Sequence, residues 1–441
     1  IPGDANGDRL DDFVLLGAKD DPDKLFIQQK NGTFRLKKLT SFETDKGFES
    51  TCGSFLDYDL DGDKDLLIGS GGNQTNVNQI NYIVRLYIND GKGNFQVDPA
   101  HIPPAVGDFS TLEVSDFDQD GDPDFFLGAR VIPGNYGLIP QSYLFKNEKG
   151  SWVSIGGEAI GKLGMVTDAI WEDADKDGDV DLFVVGDWME IKLFKNNKGV
   201  LVAPINIPNS SGWWQRIESQ DLDADGDMDF ILGNWGQNSK FQTSASLPIT
   251  MNVGDFDGNG KSESIINWIA PEEKVLFPYA SKMEITSQMP ELKKKNLKFS
   301  EFAKMKVSDF ELNTTSESQE FKAKNLQSGI LWNDGGSFSF SPLPLEAQVS
   351  PVFGIAVKDF NKDGNLDIWL GGNFYGLKPQ SGRHDASRGV LLKGLGNKEF
   401  SYIPNSEAGI NIKGQIRDAL IFGDKLIIAR NNASVKAYTF K

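Results

Sequence analysis

Seven nine-residue segments of the chain place oxygen-bearing side chains at alternate positions: 4–12 (DANGDRLDD), 57–65 (DYDLDGDKD), 116–124 (DFDQDGDPD), 173–181 (DADKDGDVD), 221–229 (DLDADGDMD), 255–263 (DFDGNGKSE) and 359–367 (DFNKDGNLD). Positions 1, 3, 5 and 9 supply the candidate ligands. They are Asp4, Asn6, Asp8 and Asp12 in the first segment, Asp57, Asp59, Asp61 and Asp65 in the second, and Asp116, Asp118, Asp120 and Asp124 in the third. Asp173, Asp175, Asp177 and Asp181 follow, then Asp221, Asp223, Asp225 and Asp229. Asp255, Asp257, Asn259 and Glu263 come next, and Asp359, Asn361, Asp363 and Asp367 close the series. Carboxylates packed so closely repel one another and raise one another's pKa unless a cation neutralises them. Oxygen side chains at 1, 3 and 5, a Gly at or near 6 for the turn, a carbonyl at 7 and a carboxylate at 9 form a cage suited to Ca²⁺, with five to seven ions expected.

An EF-hand is the rival cage, but it requires a bidentate Glu at position 12 and flanking helices. Here position 9 leads straight into DLLIGSGG, DFFLGAR, DLFVVGDW, DFILGNWG or DIWLGGNF, which read as β-strands ending at Gly. Bare acidic turns are the simpler explanation of one such segment, since Asp, Asn and Gly favour turns anyway; seven copies speak for a cation.

The segments hold 30 of the 63 acidic residues and five of the 45 basic ones, so the net charge of −18 divides into −25 in the loops and +7 elsewhere. That balance argues against nucleic acid as a partner, because phosphate binding relies on clustered Lys and Arg. The single cysteine, Cys52, allows no internal disulfide, and two histidines, His101 and His384, are too few for a multi-histidine metal centre. No stretch has the roughly 18 uninterrupted apolar residues of a membrane-spanning helix, and the N-terminus IPGDANGDRL lacks the basic and apolar regions of a signal peptide.

Each acidic loop lies between two apolar runs, and a hairpin such as RLYINDGKGNFQV, SYLFKNEKGSWVSI or IKLFKNNKGVLVAP follows. A unit is therefore four strands, and units of about 40 to 60 residues predict an all-β protein, a β-propeller of four-stranded blades. One domain over residues 1–441 replaces the two or three that length suggests. A tally of 30 strands favours eight blades over seven. Residues 281–325, Lys-rich with apolar residues at helical spacing, predict a helical insertion in one blade. The loop at 255–263 starts only 34 residues after the one before it, and is placed between the third and fourth strands of the fifth blade.

These loops and strands resemble the FG-GAP or VCBS repeat family, calcium-loop propellers that include the integrin α-subunit head and many secreted bacterial proteins. GMVTDAIWEDAD, GWWQRIESQDLD and GNFYGLKPQSGRHDASRG are similar to segments of bacterial VCBS proteins associated with an ASPIC/UnbV-like region. The resemblance implies calcium binding and the propeller fold, and says little about ligand.

In such a fold the acidic loops share one face, and the connections after each second strand lie on the other. Those connections are long and rich in aromatics and amides, which suit a sugar ring or a peptide loop. Tyr136, Trp188, Trp213, Trp235, Tyr375 and Arg383 are the candidate ligand residues. Three function classes follow. The first is a calcium-stabilised module, secreted, periplasmic or at the cell surface, that binds a glycan or another protein. The second is a polysaccharide lyase in which Arg383, His384 and Tyr375 neutralise a uronate and move a proton. The third is a structural segment of a larger envelope protein. The sequence leans away from an enzyme, with no catalytic motif and no catalytic residue to nominate.

Overall fold

The computed structural model describes residues 1–73, 81–270, 272–295, 298–310 and 312–440, so 74–80 of the connection GSGGNQTNVNQINY lie outside the described residues. The described strands form antiparallel sheets, most of them four-stranded. The third sheet shows the unit. Asp108–Ser115 runs into the acidic loop, Asp124–Val131 leaves it, and Tyr143–Asn147 and Trp152–Ile155 complete the hairpin. After its leading Asp the second strand of a unit is mostly apolar, because both of its faces are covered. Asp65–Ser70 and Asp367–Gly372 are buried at every residue.

Seven sheets follow one another in chain order, and each packs its first strand against the first strand of the next. Phe13 of the first sheet meets Phe422 and Ile427 of the last, with Phe26 and Phe34 around them, which brings the two ends of the chain together. This is the propeller expected from the repeats.

An eighth sheet accounts for the strands that raised the tally. It lies between Asp229–Gly233 and Gly329–Asp334, the second and third strands of the fifth sheet, and its order is Val275–Pro278, Glu263–Ala270, Ile249–Gly254, Gln319–Ala323. The loop at 255–263 therefore joins the first two strands of this added sheet, not the third and fourth strands of a blade. The sequence ITMNVGDFDGNGKSESIINWIA carries the unit's own pattern, so spacing alone set it in the ring. The expected helices are present within the insertion. Lys282–Gln288 starts at a capping box of Ser281 and Glu284, and Leu292–Lys295 and Phe299–Phe302 follow. Ile285, Met289, Leu292, Phe302 and Phe310 bury themselves against Phe256 and Ile265 of the added sheet.

Candidate functional site: the acidic loops and the opposite face

Each acidic loop is held by its own carboxylates. In 116–124, the N–H groups of Asp120 and Gly121 donate to Asp116 at 3.1 Å, that of Asp120 also to Asp118 at 3.3 Å, and that of Asp122 to Asp120 at 3.1 Å. The chain turns through left-handed backbone at Gln119 (φ 58°) and Gly121 (φ 98°). Side chains rarely adopt that conformation, so Gly at position 6 removes a steric cost, while the carboxylate hydrogen bonds hold the non-glycine at position 4. The first loop exchanges the two, with Gly7 at position 4 and Arg9 at position 6.

The ninth residue is the keystone. Asp65 is 1% exposed; its Oδ2 accepts from the Tyr58 N–H at 2.9 Å and its Oδ1 from the Asn89 N–H at 2.8 Å. One carboxylate thus ties the loop to the third strand. Asp12, Asp229 and Asp367 make the same two bonds, and Asp124 and Asp181 make the one to the third strand. Burial raises the pKa of Asp12, Asp65, Asp181 and Asp229 to about 6 and that of Asp124 to about 7. The asparagine that meets this carboxylate passes the tie onward. Asn89 donates its amide to the carbonyl of Ala5 and Asn333 to that of Ala174, each at 2.9 Å, both inside the loop of the preceding sheet. That asparagine recurs before a glycine turn in YINDGKG, FKNEKG, FKNNKG and LWNDGG, a signal the sequence offered.

Five loops bring three acidic side chains together with one oxygen of each within 4.8 Å of the others: Asp57, Asp59 and Asp61; Asp116, Asp118 and Asp124; Asp173, Asp175 and Asp177; Asp221, Asp223 and Asp225; and Asp255, Asp257 and Glu263. Four of these groups include a buried carboxylate oxygen with no hydrogen-bond partner: Asp57 Oδ1, Asp124 Oδ2, Asp175 Oδ1 and Asp221 Oδ1. Buried polar atoms are nearly always partnered, so these oxygens, together with an all-oxygen donor set, fit a hard metal ion. The loops at 4–12 and 359–367 have the same turn with Asn at position 3, where Asn6 and Asn361 each accept from the N–H of position 5 at 2.9 Å. Lysines approach some loops: Lys146 contacts Asp118, Lys195 lies 2.6 Å from Asp175, and Lys393 lies 2.7 Å from Asp363.

On the opposite face the six candidate ligand residues divide. Trp188, Trp213 and Trp235 are buried, and Trp213 meets the other two edge-on at 4.9 and 5.3 Å. Ile249, Met251, Val253 and Ala323 of the added sheet pack into the same cluster, so the insertion occupies the ring faces expected to meet a ligand. Trp214, adjacent to Trp213, is buried as well. Tyr136 is partly buried; its hydroxyl accepts from the Trp188 indole at 3.0 Å. Tyr375 is partly exposed, and the exposed Arg383 lies over its ring at 5.0 Å. His384, whose pKa is lowered by burial, turns to the Trp235 ring at 5.2 Å. Arg383 and Tyr375 are brought together, and His384 faces elsewhere.

Charged residues gather along the first strands, and of these Asp168, Glu113, Glu218 and Asp418 were passed over by sequence reasoning. Arg216 stands 2.7 Å from Glu218 and 3.5 Å from both Asp168 and Asp418, and the Thr111 hydroxyl lies at hydrogen-bond distance, 3.1 Å, from both Glu113 and Asp168. Burial and then the charge of Asp168 push the Glu113 carboxyl up to about 8.

Antiparallel four-stranded sheets arranged as blades, with an acidic turn between first and second strands, define a repeat propeller with metal-compatible loops. Three segments of the chain, residues 4–68, 57–127 and 173–232, match the model of the FG-GAP-like repeat. No curated protein matches the chain. Among solved structures, the V. cholerae biofilm matrix protein Bap1 is 13% identical with a TM-score of 0.40, over 100% of this chain and 87% of that one. An Agrocybe aegerita lectin, solved for its recognition of non-reducing terminal N-acetylglucosamine, is 13% identical with a TM-score of 0.35, over 88% of each chain. Neither likeness bears on what this chain binds. No described helix is long and apolar enough to cross a membrane.

Proposed function

We propose that this chain is a calcium-stabilised binding module of the extracellular space or cell envelope, recognising a glycan or another protein through the face opposite the acidic loops. The convergence of carboxylate oxygens in five loops, four of them with a buried unpartnered oxygen, is the observation that carries the calcium reading. Five to seven ions are bound, and each site stabilises the folded form by RT ln(1 + [Ca²⁺]/Kd). Loops this small resemble weak extracellular modules with Kd of about 10⁻⁴ to 10⁻³ M, which sets the module outside the cytosol.

With the loop carboxylates committed to ions, recognition falls to the opposite face. The part of that face around Tyr375 and Arg383 offers an aromatic ring and an exposed guanidinium. Calorimetry should count at least five calcium sites, and chelator should lower the melting temperature. Fewer than three sites, or a melt indifferent to chelator, would show the loops to be acidic turns. A glycan array run with calcium tests recognition, and a blank array together with no protein captured from the cell surface would leave a structural spacer.

A further inference from the structure

In the second, third and fourth sheets the pairing of first with second strand skips one residue near the end remote from the acidic loop: Thr51, Ser110 and Thr167. A bulge of this kind re-aims a side chain, and here all three hydroxyls take the same course. Thr51 donates to the carbonyl of Phe109 at 2.6 Å, Ser110 to that of Val166 at 2.7 Å, and Thr167 to that of Trp214 at 2.9 Å. The first two clasp the first strand of the next sheet, and the third clasps the segment that leads into it.

The seventh sheet has the same bulge, and the skipped residue is Arg417. Its guanidinium donates to the carbonyls of Asn373 at 3.2 Å and Ile416 at 3.1 Å and to Gln415 Oε1 at 2.9 Å, and lies 4.4 Å from the ring centre of Phe353, the bulge residue of the sixth sheet. Among the described residues it has no carboxylate at ion-pair distance, since the adjacent Asp418 serves Arg216. A second bulge in the third sheet skips Arg130, whose side chain is 42% exposed while it pairs with Asp187 at 2.8 Å. Burial, and then the charge of Arg130, lower the pKa of Arg417 to about 10. Gln415 Oε1 also accepts from the Tyr375 N–H at 2.9 Å, which joins this place to the ring beneath Arg383.

We propose that Arg417, supported by Arg130, forms an anion subsite on the face opposite the acidic loops, taking the carboxylate of an acidic sugar. The proposal rests on that face being the binding face. With no carboxylate of its own among the described residues, the planar guanidinium can take a bidentate carboxylate through its Nε and Nη2 side, and the ring of Phe353 lies against it.

Calorimetry on the calcium-loaded full chain, with D-galacturonate as probe and D-galactose as its neutral counterpart, tests the assignment. Galacturonate should bind about tenfold more tightly than galactose, and Arg417→Gln should abolish the preference with the melting temperature unchanged. Should Arg417→Gln melt early, Arg130→Gln decides, and an undiminished preference there overturns the proposal. Equal binding of the two sugars to the parent protein, or an acidic preference that survives Arg417→Gln, also overturns it. A neutral glycan held on this face without any uronate preference would end the anion subsite and leave the proposed function standing.

Discussion

Asn196 donates its side-chain amide to the carbonyl of Phe117 at 2.6 Å, joining the third strand of the fourth sheet to the acidic loop of the third. Its other atom, Oδ1, accepts from the Gly199 N–H at 2.9 Å, and its backbone N–H donates to Asp181 at 2.7 Å. One buried asparagine therefore connects its own acidic loop through its backbone, and its own hairpin and the neighbouring loop through its carboxamide. On the calcium reading proposed above, order imposed by an ion in one loop would pass to the next sheet through such a contact.

Replacing Asn196 with Ala should leave the Phe117 carbonyl buried without a donor and the hairpin turn without its acceptor. Unsatisfied buried groups cost about 1–3 kcal/mol. Urea unfolding of Asn196→Ala should show a lower midpoint at an unchanged slope, and the loop at 116–124 should bind calcium more weakly although no ligand was altered. A midpoint equal to the parent's would show that the contact carries no strain between sheets.

The acidic loops were legible because everything that shapes them is local. Positions 1 to 9 make nearly all the hydrogen bonds of the turn, so spacing alone reveals the cage. The strand that follows was legible for the same reason, since Asp65–Ser70 and its counterparts are unbroken apolar runs after an acidic residue. The surroundings of Trp188, Trp213 and Trp235 were not legible. Whether a ring at a strand end meets solvent depends on what lies over it, and here that is Ile249 and Met251, far along the chain in an insertion that imitates a repeat. Arg417 was missed for a related reason: a bulge is a property of two strands paired, and nothing in QIRDALIF marks it.

Trp235 now has a different expected role. Its ring is 8% exposed and packs beside Trp213, Phe374 and His384. Trp235→Ala should destabilise the protein by about 3–5 kcal/mol, the range for emptying a core aromatic site. Arg383→Ala, at an exposed residue, should change stability by less than about 0.5 kcal/mol. Thermal melts of the two variants separate core from surface, and a Trp235→Ala protein that melts like the parent would return the ring to the list of ligand contacts.

Glu113 supplies a pH dependence. Facing it are Thr111 and Asp168, with Arg216 and Glu218 beyond, and burial followed by the Asp168 charge raises its pKa from 4.5 to about 8. A carboxyl whose pKa is higher in the folded state holds its proton after the unfolded chain has released it. The unfolded form gains from ionisation first, so stability falls as pH rises from about 4.5 to about 8 and then levels off. Glu113→Gln should remove that part of the decline and leave the protein more stable than the parent near pH 8, with little difference near pH 4. Denaturation midpoints across this range measure it, and parallel curves for the two proteins would mean that Glu113 is ionised in the fold.

Lys146 stands immediately before Asn147 on the third strand of its sheet, and its ammonium contacts Asp118 and lies 3.1 Å from Asp120. Those contacts raise its pKa, so at neutral pH the loop already holds one positive charge supplied by the chain. A calcium ion entering 116–124 must share these carboxylates with the ammonium or displace it. Lys146→Met keeps most of the stem and removes the charge, and should raise the calcium affinity of this loop a few-fold, the scale of an exposed ion pair. Without calcium the same variant should be slightly less stable, because Asp118 and Asp120 then lack their internal cation, so its melting temperature should climb more steeply as calcium is added. Ile88, in the corresponding position before Asn89, leaves the loop at 57–65 free of such competition, and Ile88→Lys should weaken that site in turn. Calcium titrations of the two variants read the effect in opposite directions, and an affinity that falls in Lys146→Met would show the lysine holding the loop in its binding shape instead of competing for it.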